Sequence, residues 1–224
     1  VIDMAEVSER GWQLRDVAVG YGEVPILRSL SAELPRGAIT TVLGPGGSGK
    51  STLLRALEGK TPGLWCSGSM PLLQAWRLPQ PSRVRGRAIE PERIAGARER
   101  VERWLAAHPN ALTSAAEHAL LHSELGLVRA ARVLAAHDAE VLLLDEPDVH
   151  LGGAVSRAFS AMLRALAREG ATIVLVTHDL ALVHEISDHV LLLIDGIKLD
   201  EGAPTRVRAH PASERVRSFF TWGT

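Results

Sequence analysis

The sequence predicts an α/β domain: a mixed, mainly parallel sheet flanked by helices, with an antiparallel β part and an inserted helical subdomain. Three observations carry this reading. Val141–Asp145 and Thr172–Thr177 are short, almost continuously apolar runs, the pattern of parallel strands covered by helices on both faces. A helical pattern separates them. A glycine-rich stretch, Gly44–Gly49, stands between an apolar, β-branched run at Ala38–Leu43 and another helical pattern.

Taken in order, residues 12–34 alternate loosely and are interrupted by "GYGEVP", which predicts antiparallel strands. "PRG" at 35–37 is a turn into the strand at 38–43. The helix after Gly49 runs through Leu53, Leu54 and Leu57 and ends near Gly59, a residue suited to a helix terminus. Residues 60–89 contain Pro62, Pro71, Pro79 and Pro81 and read as short strands and loops. From Glu90 to about His108, Ile94, Ala97, Val101, Trp104 and Leu105 share one helical face, with Pro91 placed for the first turn. A second helix starts near Ser114 and a third spans about Ser123–Ala136. After the strand at 141–145, Val155, Ala158, Phe159, Met162 and Leu166 mark a helix over 153–168 that stops at Gly170. The strand at 172–177, a helix from Asp179 and a strand at 189–194 follow. "DG" at 195–196 predicts a hairpin turn into Ile197–Leu199. The whole of 1–224 reads as one domain, with 81–136 as the inserted helical subdomain.

Bulk properties narrow the class. The 224 residues suffice for one such domain, and 46% hydrophobic with 23% charged residues is an ordinary globular mixture. A formal charge of −1 gives no reason to expect a nucleic-acid partner. Cys66 is the only cysteine, which excludes a disulfide framework and suits a reducing compartment. No apolar run approaches the ~20 residues that cross a bilayer, and the first residues lack the features of a signal peptide. The expectation is a cytoplasmic protein whose membrane role comes through a separate partner.

Three stretches carry chemistry. "GPGGSGKST", comprising Gly44, Pro45, Gly46, Gly47, Ser48, Gly49, Lys50, Ser51 and Thr52, matches G-x-x-x-x-G-K-[ST] between a strand and a helix. Its glycines let backbone N–H groups turn toward phosphates, and the helix adds its positive end. Lys50 would reach the outer phosphates and Ser51 would offer its hydroxyl to Mg²⁺. In "EVLLLDEP", Asp145 at the end of a buried strand is placed to hold Mg²⁺, and Glu146 to orient or deprotonate the attacking water. His178, after the strand "TIVLVTHD", is the candidate γ-phosphate contact.

The order of these motifs resembles the ATPase subunit of ATP-binding-cassette (ABC) transporters, from about Trp12 to Gly202. The resemblance implies a phosphate-loop core that binds and hydrolyses Mg-ATP to drive a separate membrane permease. It also implies a seat on the inner face of the cell membrane through that permease. By the same resemblance Tyr21 stacks on adenine, and Gln80 in "RLPQP" is the glutamine-loop residue that touches Mg²⁺, with Gln74 as the rival position. A soluble ATPase of this type outside transport, and a nucleotide-binding regulatory module with little turnover, remain open alternatives.

The family pairs two such subunits head to tail, each closing an LSGGQ signature over its partner's nucleotide. Anchored on "ARVLA" (131–135), that position here reads LLHSE: Leu121 replaces the serine, His122 and Ser123 replace the glycines, and Glu124 replaces the glutamine. Side chains at 122 and 123 obstruct the close backbone approach that glycine permits. Gly152 stands where the family carries an aspartate that crosses to the partner, with Asp148 the nearby substitute. The motifs acting on the chain's own nucleotide are whole, while the surface lent to a partner is degraded. The expected partner is a second, possibly non-identical, ATPase subunit.

Overall fold

The loosely alternating N-terminal residues form a bulged antiparallel hairpin, β1 (Gly11–Tyr21) with β2 (Val24–Pro35). Its register shifts between Leu14 and Val17 and between Val17 and Val19, which breaks strict alternation. Asp16 takes a left-handed conformation there, and its carboxylate accepts from the Ser29 hydroxyl across the hairpin at 3.1 Å. The computed structural model describes residues 11–59, 61–70, 73–78, 90–136 and 139–222.

The remaining elements run in chain order. They are β3 (Ile39–Leu43), α1 (Lys50–Glu58), β4 (Leu64–Ser69), β5 (Ala75–Leu78), α2 (Pro91–Ala107), α3 (Ser114–Leu121) and α4 (Glu124–Leu134). Then come β6 (Val141–Asp145), α5 (Gly153–Arg168), β7 (Thr172–Val176), α6 (Leu180–Ile186), β8 (His189–Ile194), β9 (Ile197–Gly202), α7 (Pro204–Ala209) and α8 (Glu214–Trp222). β4 adds to β1, giving a small antiparallel sheet of order β2-β1-β4. The large sheet has the order β5-β6-β7-β3-β8-β9, parallel except for β9.

The apolar strands are buried on both faces, and successive residues enter different cores. Leu142 and Leu144 of β6, with Ile173 and Leu175 of β7, face the layer built by α2 to α6. Val141, Leu143, Val174 and Val176 face the other layer, where α1 and the antiparallel sheet pack. Each such side chain contributes roughly 1.5–3 kcal/mol by leaving water. That is why these strands read as unbroken apolar runs.

Of the predicted insertion at 81–136, residues 81–89 lie outside the described residues. The rest forms α2, α3 and α4 between β5 and β6. Ala97, Val101 and Leu105 of α2 meet Leu127, Ala130 and Val133 of α4 in a cluster continuous with the sheet's helical layer. Two C-terminal features exceed the sequence reading. β9 continues beyond Leu199 to Gly202, and α7 and α8 follow it, burying Val207, Val216 and Phe219 against Val190 and Leu192.

Candidate nucleotide-binding site

Strand register assembles the site. Val42 pairs with Val176, and Asp145 also pairs with Val176, so β3, β6 and β7 end at one edge of the sheet. The glycine-rich loop, the Asp145–Glu146 pair and the Thr177–His178 pair all leave from that edge. Ligands of open parallel sheets bind at such carboxyl ends.

The loop needs glycine at its two ends. A Cβ at Gly44 would sit 1.9 Å from the Leu193 carbonyl oxygen, and one at Gly49, where φ is 96°, would meet Leu27 at 2.5 Å. Gly46 and Gly47 instead face open space. Gly49 caps α1 without a side-chain hydrogen bond, and the first turn carries no acidic residue. The leading amides of α1 and its positive end are therefore available to an anion. Ser48 Oγ is buried without a protein partner and adds a donor to the same loop. A polyphosphate fits this cradle.

Lys50 lies over it, Nζ donating to the carbonyls of Gly44 at 2.7 Å and Pro45 at 2.8 Å. Burial lowers its pKa, and the negative charges of Glu146 and Asp145 oppose that shift. Ser51 Oγ donates to Asp145 Oδ1 at 3.0 Å. Asp145 is 2% exposed; burial raises its pKa, the Ser51 hydrogen bond lowers it, and Glu146 raises it further. Two hard oxygen donors side by side, one on a buried carboxylate, suit a divalent cation whose remaining ligands are phosphate and water.

Glu146 follows with φ of 48°, a left-handed conformation rare for a residue with a side chain. Its N–H donates to the Val176 carbonyl at 2.9 Å, and its Oε1 lies 2.9 Å from His178 Nε2. The loop, Lys50, Ser51, Asp145, Glu146 and His178 thus come together as a phosphate cradle, a cation-suited pair of oxygens, and a carboxylate oriented by an imidazole.

Other sequence candidates stand further out. Tyr21 ends β1 beside α1, its hydroxyl accepting from Arg55 Nη1 at 3.1 Å. Gln80 lies outside the described residues. Leu78, the last residue of β5, pairs with Leu144, one position before Asp145. Gln74 precedes the opposite end of that strand, its carbonyl accepting from Glu140 N at 3.0 Å, and so is remote from Asp145.

In the LLHSE stretch, Leu120 is buried, and the Leu121 carbonyl accepts from Arg98 at 2.6 Å. His122 caps the C-terminus of α3 and stacks on His118 at 3.9 Å. Ser123 caps α4, accepting from Gly126 N at 3.1 Å. Gly152 opens α5 without a side-chain cap. Asp148 turns inward, where Oδ2 accepts from Thr177 Oγ1 at 2.9 Å, so it is tied up within the chain rather than standing in at 152.

The sequence reading passed over Arg129, which packs behind this turn. It is 5% exposed and donates through Nη1 to the carbonyls of Pro147 at 2.5 Å and Val149 at 2.6 Å. One signal was available: Arg129 falls on the same face of its helix as apolar Val133, where a charge must find partners.

Fold and site define a phosphate-loop nucleotide-binding domain. The sequence profile of the ABC transporter family matches residues 27–101. A zinc import ATP-binding protein of Halorhodospira halophila is 32% identical over 221 residues, covering 91% of this chain and 82% of that protein. A histidine transport ATP-binding protein of Pseudomonas aeruginosa is 28% identical, covering 93% and 96% of the two chains. In fold, a nucleotide-free ATP-binding cassette from an ABC transporter superposes with a TM-score of 0.68 at 15% identity, covering 94% of this chain and 98% of that one. The chain belongs to the ATP-binding subunits of ABC transporters, and it is an ATP hydrolase of that family. Among the described residues no helix is long and apolar enough to cross a membrane.

Proposed function

We propose that this subunit hydrolyses Mg-ATP at its own site, with Glu146 as the base, and passes the resulting movement to a separate permease at the inner face of the membrane. The observation that carries this is the Glu146–His178 contact, 2.9 Å long, at the same sheet edge as a complete phosphate loop. Lys50 leaves the loop carbonyls to meet the outer phosphates, as the leading amides of α1 do. Ser51 and Asp145 would hold Mg²⁺, which would supply neutralisation of phosphate charge there. Glu146 takes the proton of the water that attacks the γ-phosphorus, and ADP leaves with the bridging oxygen. His178 keeps the carboxylate turned toward that water. Tyr21 supplies an aromatic face for adenine, and Gln80 is the glutamine-loop residue that the family resemblance implies.

The second ATPase of the working pair is a different chain in this reading. Its support is local: Leu121 brings no hydroxyl, and residues with side chains, His122 and Ser123, stand in place of the two glycines. Ser123 Oγ is fixed by accepting from Gly126 N in the α4 cap, so LLHSE lacks the serine and the glycines of the family signature. The two relatives above are named for different cargoes, histidine and zinc, at similar identity. Cargo choice accordingly belongs to the permease.

Thermal unfolding tests the nucleotide site. Mg-ATP at about 100 times its Kd should stabilise the wild-type chain by about 2.7 kcal/mol, and Lys50→Ala should abolish most of the shift. Equal shifts in both proteins would remove this loop from the site.

A further inference from the structure

We propose that Arg129 is a positioning residue for the hydrolytic pair, acting through the turn that follows Glu146; this rests on the reading of Glu146 as the base. Glu146 holds a left-handed backbone, φ 48°, that its surroundings must maintain. On the strand side its N–H is tied to Val176. On the other side the chain passes through Pro147, Asp148 and Val149, and the Arg129 guanidinium binds the first and third of these carbonyls.

The residue between them completes the bracket. Asp148 Oδ2 accepts from Thr177 Oγ1, which in turn accepts from Asp179 N at 3.0 Å. Thr177 directly precedes His178. Two sets of polar contacts, joined through the backbone of residues 147–149, therefore reach both members of the pair from behind, Glu146 through Pro147 and His178 through Thr177.

Arg129 is not spent on an ion pair. Its Nη2 and the Asp148 Oδ1 are both buried, and neither has a hydrogen-bond partner. A buried guanidinium beside a buried carboxylate would ordinarily pair with it directly. Here the donors go to two backbone carbonyls instead, which commits the side chain to the shape of the turn. The anchor is α4, the helix that begins at Ser123, so a shift of that helix moves the turn behind Glu146.

The test compares Arg129→Met, Arg129→Lys, Thr177→Val and Glu146→Gln in the full chain. It measures turnover at saturating Mg-ATP and the Kd of a fluorescent ATP analogue, on variants whose thermal unfolding shows them folded. Arg129→Met and Thr177→Val should each lower turnover by roughly tenfold or more, within the range that small misplacement of reacting groups produces. Their nucleotide Kd should stay within about threefold of wild type, and Arg129→Lys should recover part of the lost turnover. Should Arg129→Met fail to fold, Thr177→Val and Arg129→Lys decide by the same two measurements. Wild-type turnover in the folded variants, or a Kd that worsens in proportion to turnover, would overturn the proposal. If Glu146→Gln itself keeps wild-type turnover, the reading of the base fails. If Glu146→Gln is inactive while Arg129→Met and Thr177→Val are not, only this inference fails.

Discussion

Glu146 Oε1 lies 2.9 Å from His178 Nε2, joining residues that leave the ends of the neighbouring strands β6 and β7. Their side chains differ in exposure, 15% for Glu146 and 54% for His178. The carboxylate is sheltered, and the imidazole stands at the rim. Such a contact fixes which way the carboxylate faces and leaves the phosphate cradle untouched. His178→Ala should therefore lower turnover by about 10²-fold, the lower range for loss of an acid–base group, while nucleotide affinity changes little. Phosphate release and equilibrium nucleotide titration measure the two effects. A variant that loses affinity as much as rate would make His178 a ground-state phosphate ligand instead.

The family signature can be restored by Leu121→Ser, His122→Gly and Ser123→Gly together. The expected result is more ATP-dependent self-association and faster turnover, read by light scattering and phosphate release. Removing the Ser123 cap should cost only a few tenths of a kcal/mol, since glycine is tolerated at a helix N-cap. Little loss of melting temperature is therefore expected. Unchanged association in the folded triple variant would detach LLHSE from subunit closure.

Acid stability should report on Glu201, which ties β9 to both sheets. Burial works against its charge, but hydrogen bonds from His189, Lys198 and the Glu33 N–H outweigh it and lower its pKa to about 2. Because the folded value lies below the ordinary 4.5, the contribution is complete above about pH 4.5 and is lost as pH falls toward 2. Its ceiling is about 3 kcal/mol. Urea unfolding should show Glu201→Gln destabilised at pH 7 and much less so at pH 3. An equal deficit at both values would mean that the charge is not what stabilises.

Much of this architecture is written in local sequence. The phosphate loop is legible because glycine, lysine and serine must occur at fixed spacing to wrap phosphate, and β6 and β7 are legible because both faces are buried. The loose alternation of residues 12–34 also signals antiparallel strands, and the bulges between them are what loosen it. What escaped depends on distance in the chain. Arg129 binds carbonyls 18 and 20 residues away; its place on an apolar helix face says that it needs partners, but no local spacing says which. α7 and α8 bury few apolar residues, so their helical period is faint. Asp148 looked like a surface replacement for the residue missing at 152, yet its side chain turns inward to Thr177.

The central claim is that this chain carries its own hydrolytic base, and the Glu146→Gln variant tests it most directly. Phosphate release at saturating Mg-ATP and nucleotide affinity are measured for wild type and variant, alone and with the partner subunits. The account predicts unchanged binding and a fall in turnover of at least ~10²-fold. Turnover by Glu146→Gln at the wild-type rate, with binding intact, would contradict it.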